Sequence, residues 1–178
     1  MLRRMGIIAV LSLIVVAFAA VPAFAEPMIT NVQPDASGNL TVTFTEALPA
    51  ELANQQIVYV LLGSADTTYF CLKKNGRPPK GGAVFAGTVP GAAVQDTGIF
   101  LAEPVVDPSD PTGTTMIGAD VSGSLTLSPP LPTGLSCPKG LRLFPTSVTY
   151  TDLALRNMTT LSPAVSIVGT FGPYPIAL

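Results

Sequence analysis

The sequence predicts an all-β chain: an antiparallel, immunoglobulin-like β-sandwich with one disulfide, preceded by a signal peptide. Three observations carry that prediction. Apolar and polar residues alternate with period two along much of the chain after residue 26. Gly and Pro, 16 and 18 of 178 residues, punctuate the gaps between those runs. Two cysteines, and only two, follow an apolar N-terminal leader.

The leader comes first. Arg3 and Arg4 form a positive start, residues 7–20 are apolar, Pro22 breaks the run, and Ala23-Phe24-Ala25 supplies a small-x-small cleavage pattern. Cleavage after Ala25 leaves residues 26–178 as one β-sandwich domain and places the protein outside the cell or on its surface. A retained anchor is the alternative, because an apolar stretch of about 20 residues suffices to span a bilayer. Outside the cytosol an isolated cysteine pair reads most simply as a disulfide, here Cys71–Cys137. No C-x-x-C redox motif is present.

The strands follow in order. The first is expected at 28–32. Residues 40–46 set Leu40, Val42 and Phe44 on one face and three Thr on the other, after a Gly38-Asn39 turn signal. Strands are expected next at 56–62, 67–72, 84–89 and 98–102, with Gly63, Pro78-Pro79 and Pro90-Gly91 between them. Residues 121–127, 141–144, 147–156 and 163–170 complete the set. In 147–156 the apolar parity slips at Asp152, which predicts a β-bulge there. The run 57–62 is apolar on both faces, so a covering loop, a tail or a partner is expected. The uncharged C-terminal residues 172–178 are expected to dock over that strand, or else to add to a neighbour's sheet edge. No helix beyond a turn or two is expected, the one candidate being 49–55.

Composition excludes several functions. With no His there is no Ser-His-Asp triad and no histidine metal site. Two Cys cannot form a four-thiolate centre. Nine basic and eleven acidic residues give a net charge of -2, against a nucleic-acid partner. No cofactor and no metal is expected. An enzyme would have to use carboxylates, with Glu46, Glu103 and Asp152 as candidates because they end or interrupt strands. The absence of Trp weighs against a polysaccharide cleft. The acidic residues Glu103, Asp107 and Asp110 fall in the turn-rich run 103–115 but lack Ca²⁺-loop spacing.

The most distinctive segment is basic. Lys73, Lys74, Arg77 and Lys80 fall within eight residues, beside Cys71, on a loop stiffened by Gly76, Pro78 and Pro79. The loop reads either as a recognition patch for an anionic cell-envelope polymer or lipid surface, or as a solvated hairpin whose charges keep it soluble.

Certain segments look familiar together: Thr67-Thr-Tyr-Phe-Cys71, Asn75-Gly76 with Pro78, Gly123-Ser-Leu-Thr-Leu-Ser-Pro-Pro130, Gly134-Leu-Ser-Cys-Pro138 with Gly140, and Val148-Thr-Tyr-Thr-Asp152. They resemble a group of uncharacterised small exported β-sandwich proteins of actinobacteria and related bacteria. The resemblance covers about half of residues 26–178, and the basic character of the loop after Cys71 departs from it. It implies an exported, disulfide-linked sandwich and no activity. The expected function is a non-catalytic cell-surface or extracellular module, with affinity in the basic loop. A self-associating structural subunit, forming a homo-oligomer, and a carboxylate-dependent hydrolase are the alternatives.

Overall fold

The computed structural model describes residues 26–176. Residues 1–25, where a signal peptide is expected, lie outside them, as do the last two residues. Nine strands and one short 3-10 turn build the described residues: β1 (Met28–Pro34), β2 (Leu40–Leu48), the turn Ala50–Leu52, β3 (Gln56–Leu72), β4 (Val84–Leu101), β5 (Glu103–Val106), β6 (Met116–Leu127), β7 (Arg142–Asn157), β8 (Val165–Ile167) and β9 (Phe171–Pro175). They form two antiparallel sheets. One has the order β1-β2-β6-β5; the other has β4-β3-β7-β8, with β9 also paired to β7. Among the described residues no helix is long and apolar enough to cross a membrane.

Alternation dictates the packing. Leu40, Val42 and Phe44 of β2 meet Ile57, Tyr59 and Leu61 of β3 between the sheets, all fully buried. Their Thr neighbours Thr41 and Thr43 face outward and hydrogen-bond Thr126 and Ser124 on β6. Phe44, Tyr59 and Phe100 form an aromatic cluster with ring centroids 4.5 to 5.8 Å apart. Phe100 packs over Gly123, where an added Cβ would sit 2.3 Å from its ring.

Several expected strands are longer than their local pattern. The pairs 56–62 and 67–72, 84–89 and 98–102, and 141–144 and 147–156 are each one continuous strand. Gly63 does not break β3: it stays paired with Val94 on β4, and the Leu153 side chain occupies the space its Cβ would take. Pro90-Gly91 does not break β4 either. It forms a bulge opposite Asp66, whose carboxylate accepts the Gly91 N–H at 2.6 Å. β4 has β3 as its sheet neighbour and is otherwise an edge, where proline is tolerated. The predicted bulge in β7 is present. Leu62 pairs with Ala154 and Ser64 with Thr151, leaving Asp152 in the left-handed region at φ 54°.

Two expectations are corrected. Residues 103–106 are not loop but strand β5, because Glu103 pairs opposite Asp120 on β6. The C-terminal tail does not cover residues 57–62. It pairs with Ser147, Val148 and Tyr150 of β7, and Ile176 packs onto Gly38. The outer side of 57–62 therefore stays open, with Leu62 40% exposed.

Candidate binding surface at the disulfide end

β3 and β7 run past the end of the opposing sheet. β6 stops at Leu127, after which the Tyr69 hydroxyl donates to the Pro130 carbonyl. The chain then crosses to the second sheet, and Cys137 forms the predicted disulfide with Cys71. This bond ties the crossing segment onto the tip of β3.

The basic loop connects β3 to β4 at that tip. Its first turn closes when the Gly76 N–H donates to the Lys73 carbonyl at 2.9 Å, with Gly76 at φ 74°. The Lys73 N–H donates to the Arg77 carbonyl at 2.9 Å, and the Gly82 N–H to the Pro79 carbonyl at 3.1 Å. The backbone of the loop is thus held by its own bonds, while Lys73, Lys74, Arg77 and Lys80 are all exposed.

Tertiary structure enlarges this patch beyond what spacing indicates. Arg142 stands opposite Leu72 in the β3–β7 register, next to Lys73. Lys139 follows Cys137 by two residues and is carried to the same tip by the disulfide. Both are exposed. Six of the seven basic residues in 26–178 therefore share one end, with Arg156 the exception. Residues 67–95 and 121–151, which carry the loop and the crossing segment, contain no Asp or Glu, although Asp35 on the β1–β2 turn lies at the same end of the sandwich, near Tyr150. A cluster of cations with no carboxylates among them attracts anions from several ångströms away. Spacing could not reveal Lys139 and Arg142, which lie about 60 residues downstream in sequence.

An apolar groove adjoins the cations. Phe70, Leu72, Gly76, Pro78, Ala83 and Thr146 line about 200 Å³ beneath the loop. Phe70 meets Phe85 edge-on at 5.5 Å across β3 and β4, and Phe144 stands opposite Phe70 on β7.

The carboxylate candidates are scattered. Glu46 is 3% exposed and points between the sheets. Its Oε2 accepts from the Tyr59 hydroxyl at 2.6 Å and from Asn157 Nδ2 at 3.1 Å, and its Oε1 has no partner among the described residues. Burial pushes its pKa up, and the two hydrogen bonds oppose that only in part. Burial and the neighbouring Glu46 push the Tyr59 phenol up as well. Glu103 lies in an exposed row with Asp120 and Ala47, on the opposite face of that sheet from Glu46. Asp152 belongs to the other sheet. The three do not share a cleft.

Asp107 and Asp110 serve their own loop. Asp110 accepts from Thr112, Thr114 and Thr115, and Asp107 from Ser109, which holds both carboxyls below their ordinary range. Among the described residues no three metal-ligating side chains converge. No protein-family model, curated protein or solved structure gives a significant match to the chain.

Proposed function

We propose that the protein is an exported, non-catalytic surface module that binds anionic groups of the bacterial cell envelope, on a polymer or a lipid surface, through its basic end. In this reading residues 1–25 are a signal peptide removed on export, and the disulfide fits an oxidising compartment. The sandwich is immunoglobulin-like and akin to the small exported actinobacterial proteins it resembles. The strand orders β1-β2-β6-β5 and β4-β3-β7-β8 support the immunoglobulin-like part of this reading, following the A-B-E-D and C′-C-F-G orders of such sandwiches.

The observation that carries the functional reading is the gathering of six cations at one tip, on a loop and a crossing segment that hold no carboxylate, in an otherwise acidic chain. Arg3 and Arg4 aside, seven basic residues face eleven acidic ones, so the concentration at one end is not a by-product of overall charge. The test is retention of residues 26–178 on an immobilised polyanion at rising salt. A variant with Lys73, Lys74, Arg77 and Lys80 changed to Ser runs beside it. Retention that fades with salt and is lost in the variant is expected. Equal retention of both proteins would overturn the reading.

Self-association is the second reading, favoured by one observation. On the outer face of β3 and β4, Leu62, Ile99 and Leu101 are 40%, 63% and 57% exposed. Light scattering separates the two. A dimer that Ile99→Lys dissociates supports self-association, and a monomer at high micromolar concentration removes it.

A further inference from the structure

The cations are only half of the surface at the disulfide end. Phe85 is 61% exposed and Val84 40% exposed, at the start of β4 directly after the basic loop. Val84 stands opposite Cys71, two residues from Lys73. Phe85 pairs edge-on with Phe70, whose ring helps line the groove with Pro78 and Ala83. An aromatic stripe therefore emerges from the sheet where the loop cations begin.

We propose that this end docks on an anionic phospholipid bilayer, with Phe85, on the groove side of the sheet, entering the acyl boundary while the six cations hold the headgroups. The inference rests on the reading of the basic end as an anion-recognising surface, and names its source. Two features select a lipid surface over the other occupants. A hydrated polyanion offers nothing apolar to cover Phe85 and the groove, whereas a bilayer interface presents anionic groups and hydrocarbon a few ångströms apart. A second copy of the chain would bring its own six cations against these six, and like charges face to face oppose that contact. Burial of apolar tips and attraction to anionic headgroups act together in interfacial binding, so both should be measurable separately.

The chain holds no Trp, so Phe85→Trp introduces a single fluorescent reporter at the tip. Residues 26–178 are used, because they contain every described strand and the whole described core. The oxidised protein is titrated with phosphatidylcholine vesicles, with and without phosphatidylglycerol, and separately with a soluble polyanion. Blue-shifted indole emission, quenched by brominated acyl chains, is expected on the anionic vesicles alone. Phe85→Ser should weaken vesicle binding by about tenfold, the order expected for losing a buried aromatic side chain. It should leave polyanion binding unchanged. The four-residue Ser variant should lose both.

The failures are distinguishable. Vesicle binding that is indifferent to Phe85→Ser, or indole emission that never shifts, overturns the lipid inference and leaves anion recognition standing. Binding to the polyanion but not to vesicles does the same. Binding by the four-residue Ser variant equal to the parent overturns the anion reading itself, and this inference with it. Indole emission that shifts equally on uncharged vesicles overturns the role of the cations in docking.

Discussion

Glu46 is the residue whose environment most contradicts its chemistry. It carries a carboxyl into the core with one oxygen unpartnered among the described residues. The folded state raises its pKa above the ordinary 4.5, chiefly through burial. The sign of the consequence follows. As pH rises past 4.5 the unfolded chain ionises first, while the folded chain still holds its proton, so ionisation favours unfolding. Stability contributed by the protonated form is therefore full at low pH and is lost as pH climbs through the folded pKa. Glu46→Gln keeps an acceptor for Tyr59 and Asn157 but cannot ionise. Its melting temperature should gain on the wild type as pH rises from about 4.5 to about 7, and a pH-independent difference would contradict this. Gly123 makes a second test at the same scale. Gly123→Ala drives a Cβ into the Phe100 ring and should cost about 1–3 kcal/mol in denaturant melts, the usual range for overpacking. A neutral result would show that Phe100 can move aside.

Among the elements, the C-terminal strand and the crossing segment bear the most. Phe171, Tyr174 and Ile176 pack against the core while β9 adds to the edge of β7. Ending the chain at Thr170 should remove about 3 kcal/mol, taking roughly 1 kcal/mol for each partly buried side chain. Unchanged stability would mean the strand only decorates the sheet. The disulfide closes a separation of 66 residues. The chain-entropy model values such a loop at about 4 kcal/mol, so Cys71→Ser with Cys137→Ser should lower stability by that order. The Thr-faced strands could be read directly, since Leu40, Val42 and Phe44 alternate with Thr across a boundary between core and water. The bulge at Asp152 was equally legible, because a bulge is a parity slip. The continuity of β3 and β4 was not. Gly63 and Pro90-Gly91 look like breaks in one dimension, and only pairing shows Asp66 satisfying the Gly91 N–H. The tail has its docking site hidden in the sequence for a related reason. Its apolar residues announce a docking site, but nothing local states that Val148 rather than Val58 receives them.

The whole molecule is electrically lopsided. Residues 26–178 are net acidic, yet β3, β7, the loop and the disulfide gather six cations at one tip. Four of these could be read from 73–80. Lys139 and Arg142 join them only through the long-range register and the disulfide. That difference supplies the most direct test of the account, because a local-loop explanation and a tip-surface explanation part there. The measurement is the salt dependence of polyanion binding for the wild type and for Lys139→Ser with Arg142→Ser, a variant that leaves the loop intact. If the tip acts as one surface, the variant should bind more weakly and lose about a third of the wild-type salt dependence, in proportion to the two cations removed from six. Affinity and salt dependence identical to the wild type would contradict the account and confine any recognition to residues 73–80.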